Sequence, residues 1–142
     1  MPDREPTFSI VVPLYNTERY IAEALDSIEA QTFDDFEVIV INDASTDNGP
    51  AIVQHYIARD DRFRMITQEN RGLAGARNSG IRAARGKYVA LLDADDVWLP
   101  EKLQRHFDHI ENNADVGISY APSIFIDDHS QRMRAMQSPQ LD

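Results

Sequence analysis

The chain has 142 residues, of which 24 are acidic and 14 basic, giving a formal net charge of −10. That balance argues against non-specific nucleic-acid binding, which needs a basic footprint, and the absence of cysteine removes disulfides and thiolate metal sites. The length is that of a single domain, no apolar run approaches the ~18 residues of a membrane span, and the opening MPDREPTFS is not a signal peptide, so the expected location is cytoplasmic.

Residues 1–7 are polar with two prolines and read as a loose lead-in. Phe8–Val12 is a short continuous apolar run, the mark of a strand buried on both faces, and Pro13 is expected to stop it. Thr17 is a candidate helix cap with Glu18 in the first turn. Tyr20, Ile21, Ala24, Leu25 and Ile28 then recur at helical spacing, which predicts an amphipathic helix over 18–30. Phe36–Ile41 is a second buried strand, and it runs into the polar loop Asn42–Asp47.

Pro50 opens a second predicted helix with Ile52, Val53, Tyr56 and Ile57 inward. Phe63–Thr67 is a weaker third strand. Leu73–Arg85 is a helix rich in Gly and Ala, suited to lying close against a sheet. The fourth strand, 88–92, ends in Asp93-Ala94-Asp95-Asp96, and a helix follows over 100–112. Val116–Tyr120 and Ile124–Ile126 read as strands, Asp127–Ser130 as a turn, and Arg132–Met136 as a further short strand. The alternation of strand and helix predicts an α/β fold, a mostly parallel sheet with right-handed crossovers and helices on both faces.

In such a sheet the loops Pro13–Asn16, Asn42–Asp47 and Asp93–Asp96 all leave one edge and can line one crevice. Three carboxylates within four residues raise one another's pKa and resist desolvation. A divalent cation with hard oxygen ligands relieves that crowding; a helix N-terminus capped by Asp95 or Asp96 is the other reading of the same residues. Neither a Walker lysine loop nor a G-x-G-x-x-G follows the first strand, where VVPLYNTE stands instead. Standard ATPases and NAD enzymes are therefore disfavoured. A nucleotidyltransferase would be expected to carry a glycine-rich basic loop there.

Taken together, PLYN, VIVINDASTD, NRGLAGARNSGIRAARGKYVALLDADD and WLPEKL resemble the inverting family-2 glycosyltransferases, over about residues 8–126. The resemblance implies the Rossmann-like GT-A fold, here as its nucleotide-sugar-binding part in one domain over 1–142. It implies transfer of a sugar from a nucleoside-diphosphate donor, expected to be a UDP-sugar, with inversion and with Mn²⁺ or Mg²⁺. It places Pro13, Leu14 and Tyr15 beside the base and Asp43 on the base edge. Arg71 and Arg77 fall toward the nucleotide and diphosphate, Asp93 near the ribose, Asp95 on the metal, and Asp96 toward the sugar. The common pattern after the second strand is Asp-Asp-Gly-Ser, whereas this chain has Asn42-Asp43-Ala44-Ser45.

The resemblance also puts the acceptor region and the catalytic base downstream of Asp142. The acceptor (glycan, lipid or protein) is unspecified, an exposed strand edge suggests a homo-oligomer, and membrane association, at the inner face, would come only through other regions. A non-catalytic nucleotide-sugar-binding module would share these donor motifs. Outside the cluster, Trp98 is expected to pack near the site entrance, His106 and His109 to be surface residues, and Asp127-Asp128 to form a hairpin turn.

Overall fold

The computed structural model describes residues 4–133. Among these residues the chain divides into two compact units, with the boundary between Arg105 and His106. The elements are β1 (Phe8–Leu14), α1 (Ile21–Glu29), β2 (Phe36–Asn42), α2 (Gly49–Arg59), β3 (Phe63–Thr67), α3 (Gly72–Ala83), β4 (Tyr88–Leu91) and α4 (Lys102–Glu111).

The four strands form one sheet in the order β3-β2-β1-β4, with every pairing parallel. Every residue of β1 and β2 is buried, as unbroken apolar runs require when both faces of a sheet are covered. The chain steps from β1 to β2 to β3 in one direction, then crosses back to place β4 on the other side of β1. Right-handed crossovers taken in opposite directions put their helices on opposite faces. Packing agrees with this. Val11, Ile39 and Ile41 form a cluster with Ala76 of α3, and a side chain at Gly80 would run into Val11. Leu14, three residues on and so on the opposite face, lies against Gly49 at the start of α2. The reversal between β1 and β4 is the switch point where open α/β sheets bind ligands.

Several element bounds differ from those predicted, each for a local reason. β1 continues through Pro13 to Leu14. Backbone groups alternate sides along a strand, and the Val11 carbonyl faces β4, where it accepts from Leu92 N–H at 3.0 Å. The Pro13 nitrogen therefore also faces β4, beyond the last β1–β4 pair, where no N–H is needed. α1 begins at Ile21 rather than 18, because Thr17–Tyr20 is a turn in which Tyr20 and Ile21 N–H both donate to the Thr17 carbonyl. Thr17 is not the cap; its hydroxyl is buried without a partner among the described residues. Glu18 instead exchanges bonds with the next loop, its N–H donating to Asp47 and its carboxylate accepting Asn48 N–H, each at 2.9 Å. α3 ends at Ala83, since Ala84 is extended and the N–H groups of Arg85 and Gly86 turn to Ser9 and Glu37.

The strands expected at Val116–Tyr120 and Ile124–Ile126 do not form. Among the described residues, 106–133 holds only one isolated antiparallel bridge, Ile126 to Arg132. A strand needs a ladder partner for its backbone; among the described residues Val116–Tyr120 has none, and Ile124–Ile126 has only that bridge. Ile118 and Tyr120 are 86% and 90% exposed. The turn between them and Arg132 does form: Asp127 accepts Ser130 N–H at its carbonyl, while its side chain accepts His129 and Gln131 N–H. Of the strand expected over Arg132–Met136, residues 134–136 lie outside the described range, and Arg132 makes only the single bridge.

Candidate functional site

At the C-terminal edge of the sheet the loops are cross-linked by their own polar groups. Asp43 N–H donates to the Leu14 carbonyl at 2.9 Å, joining the ends of β2 and β1. Asn16 and Ala44 both adopt left-handed backbone, with φ of 50° and 64°. Asn16 does so readily; its side-chain oxygen accepts Thr46 N–H at 2.8 Å, and its own N–H donates to the Ser45 hydroxyl. Alanine is strained there by roughly 1–2 kcal/mol, and glycine would not be. Asn42, buried, holds the same loop by accepting Ser45 N–H at 2.9 Å.

Asp43 is only 2% exposed. Its Oδ1 accepts from Gln68 Nε2 at 2.8 Å and from Arg71 N–H at 2.9 Å. A buried carboxylate is costly unless so bonded. The Gln68 contact was not foreseen from sequence, where Gln68 is one polar loop residue among several. Arg71 is the N-cap residue of α3. Two turns along that helix, Arg77 Nη2 grips Asp93 at 2.7 and 3.0 Å, while its Nε is buried without a partner among the described residues. α3 thus ties the acid after β2 to the acid after β4.

Asp93, Asp95 and Asp96 each offer an oxygen such that all three lie within 4.8 Å of one another. The turn that gathers them is closed by Asp96 N–H on the Asp93 carbonyl at 3.0 Å. Partial burial, then the charges of Asp95 and Asp93, push the Asp96 carboxyl above the ordinary range, with Lys102 opposing. Asp93 is neutralised by Arg77; among the described residues Asp95 and Asp96 have no ion-pair partner. Hard oxygens, crowded and short of positive charge, fit a divalent cation. No other described group of histidines and carboxylates has this closeness. His106 bonds Ser119 at 2.6 Å, and His109 is exposed.

Of the other predicted site residues, Pro13 lies inside β1 opposite Ile41, and Leu14 is fully buried with only its carbonyl serving the loop. Tyr15 is half exposed at the strand's end, and Arg71 is exposed. Trp98 is buried. Its N–H donates to Ser27 of α1 at 3.1 Å, and Gln31 bonds the Leu99 carbonyl and Leu103 N–H on either side of Pro100. Ser27 and Gln31 thereby fasten the chain that leaves the aspartates. They were missed because a polar residue on an amphipathic helix, as Ser27 is, or just past its end, as Gln31 is, reads as solvent-facing until its partner is known.

A profile of the family described as "Glycosyl transferase family 2" matches residues 9–140. The chain belongs to this family. It is 48% identical over 94 residues to the putative glycosyltransferase EpsH of Bacillus subtilis, covering 66% of this chain and 27% of that one. It is 36% identical over 133 residues to the uncharacterized glycosyltransferase MJ1057 of Methanocaldococcus jannaschii, covering 92% and 46%. Among solved structures, S. aureus TarS 1-349 with UDP-GlcNAc has a TM-score of 0.72 at 31% identity, covering 85% of this chain and 38% of that one. The mannosyltransferase PcManGT from Pyrobaculum calidifontis, with GDP-Man and Mn²⁺, has a TM-score of 0.61 at 34% identity, covering 68% and 30%. The family-2 chain described here therefore spans less than half the length of these relatives. Its α/β sheet is that of the GT-A fold. No described helix is long and apolar enough to cross a membrane.

Proposed function

We propose that this chain is the nucleotide-binding half of an inverting glycosyltransferase that uses a nucleoside-diphosphate sugar, with a UDP-sugar as the favoured donor. The observation that carries the reading is the carboxylate group Asp93, Asp95 and Asp96 at the C-terminal end of β4, beside the switch point. Solved relatives that bind UDP-GlcNAc or GDP-Man support it.

In this reading Asp43 accepts from the base edge, with Tyr15 against the ring and the buried Pro13 and Leu14 forming the wall behind. Asp93, oriented by Arg77, takes the ribose. Arg71, and Arg77 at its exposed face, add positive charge toward the diphosphate. Asp95 would hold Mn²⁺ or Mg²⁺, with Asp96 beside it and toward the sugar. A bound cation supplies Lewis-acid stabilisation of charge on the departing diphosphate. The carboxylates would hold that cation in place before the charge develops, so that little reorganisation is needed. A carboxylate downstream of Asp142 would take the proton of the acceptor hydroxyl on the opposite face.

Calorimetric titration of UDP, GDP and CDP, with and without MnCl₂, tests this on the wild type and Asp95→Ala. The expected result is UDP binding that strengthens about tenfold or more with Mn²⁺ and loses that gain in Asp95→Ala, a difference of about 1.4 kcal/mol or more. Absence of binding to any nucleotide under either condition would sink the donor-site reading. Binding indifferent to both metal and Asp95→Ala would remove the metal from it.

A further inference from the structure

Asp43 is held by two donors from the loop that leads into α3. Both of its donors, Gln68 Nε2 and Arg71 N–H, fall on Oδ1. Oδ2 accepts from none of the described residues and is the oxygen left for a ligand donor. The direction of Oδ2 therefore depends on where the Arg71 amide sits.

That position is set by a sharp corner. Gly72 has φ +72°, a left-handed conformation that turns the chain directly into α3. Arg71 folds back over the first turn of the helix. A Cβ at Gly75 would lie 2.5 Å from Arg71 Cβ, 3.7 Å from its Cγ and 3.9 Å from its Cδ. A side chain could not clear this by rotating the end of Arg71, because Cβ is fixed to the backbone. The Arg71 backbone itself would have to move, and its N–H with it.

We infer that Gly75 is a positioning residue: its missing side chain lets Arg71 seat on α3, and the seated Arg71 amide, with Gln68, fixes Asp43 for the base. This deepens the donor-site reading above and rests on it. Gly75 touches no ligand in this arrangement, and its substitution acts through Asp43.

The inference separates from a purely structural role by sign. Alanine in a helix is ordinarily favoured over glycine, so a position that mattered only for helix stability would give Gly75→Ala a higher melting temperature and unchanged binding. We expect instead that Gly75→Ala binds UDP about tenfold more weakly, the scale of one charge-assisted hydrogen bond, with far-UV circular dichroism retained. Gln68→Ala should weaken binding similarly. In an Asp43→Ala background, Gly75→Ala should cause no further loss. Unchanged UDP affinity in folded Gly75→Ala, or a full additional loss on top of Asp43→Ala, would overturn the inference. Should Gly75→Ala fail to fold, Gln68→Ala decides: weaker binding supports the fixing of Asp43, unchanged binding overturns it. If Asp43→Ala itself binds UDP as tightly as the wild type, the base contact is wrong and the inference falls with it. A loss in Asp43→Ala with none in Gly75→Ala would sink the inference alone.

Discussion

β1 and β2 have the same kind of apolar, β-prone sequence as Val116–Tyr120 and Ile124–Ile126, and the two sets end in opposite environments. All fourteen positions of the two strands are buried, seven in each. In the later segments Ile118, Tyr120 and Phe125 are 86%, 90% and 72% exposed. What separates them is the supply of neighbours. β1 has ladders on both sides and helices over both faces, whereas Val116–Tyr120 has no ladder partner among the described residues. Apolar runs state a demand for burial, and only assembled neighbours meet it.

The largest expected effect tests that difference directly. Ile39→Ala, in the fully buried cluster with Val11, Ile41 and Ala76, should destabilise by about 3–4 kcal/mol in urea denaturation. Ile118→Ala should stay within about 0.5 kcal/mol, as for an exposed position. A loss above about 2 kcal/mol at Ile118 would mean that the segment is covered, and the contrast would break.

A second contrast lies between the two ends of the sheet. At the N-terminal end Glu37 is buried inside β2 beside Ser9, which donates to it at 2.7 Å; Arg85 donates from its backbone and guanidinium, and Arg64 lies at 3.4 Å. Burial pushes this carboxyl up, but the Ser9 and Arg85 bonds and the Arg64 charge outweigh it and hold it below the ordinary range. Glu37→Ala should therefore cost about 2 kcal/mol at neutral pH, chiefly by removing the acceptor of the buried Ser9 hydroxyl. A depressed folded pKa gives stability that is full above the unfolded value of 4.5 and is lost as pH falls through the folded value. Urea midpoints measured from pH 7 down to below 4 should fall in that range for the wild type and less steeply for Glu37→Ala. At the C-terminal end the sign is reversed for Asp96, whose charge the fold disfavours. It detracts from stability at neutral pH and is relieved by protonation.

Two smaller changes sharpen the same point. Ala44→Gly removes the left-handed strain at φ 64°, offset in part by glycine's greater unfolded-state entropy, and should stabilise by about 0.5 kcal/mol. A drop in melting temperature would show that the loop does not hold that conformation. Asp96→Asn should raise stability at pH 7 by at most about 0.5 kcal/mol, since the group is well exposed, while weakening Mn²⁺-dependent nucleotide binding. Unchanged binding there would remove Asp96 from the site.

Much was set by sequence alone. The unbroken runs at Phe8 and Phe36, the helical spacing of Ile21, Leu25 and Ile28, and the strand leading into Asp93-Ala94-Asp95-Asp96 fixed the parallel α/β architecture and the edge on which its acids lie. These are local signals, carried by side-chain period and backbone preference. Tertiary structure decided the rest. It paired Arg77 with Asp93, turned Gln68 and the Arg71 amide onto Asp43, and buried Ser27, Gln31 and Glu37 as polar fasteners. It also left Val116–Tyr120 without the strand its composition favours. A polar side chain's role depends on which donor or acceptor reaches it across the fold, and an apolar strand depends on a neighbour to share its hydrogen bonds; neither partner is written in the local sequence.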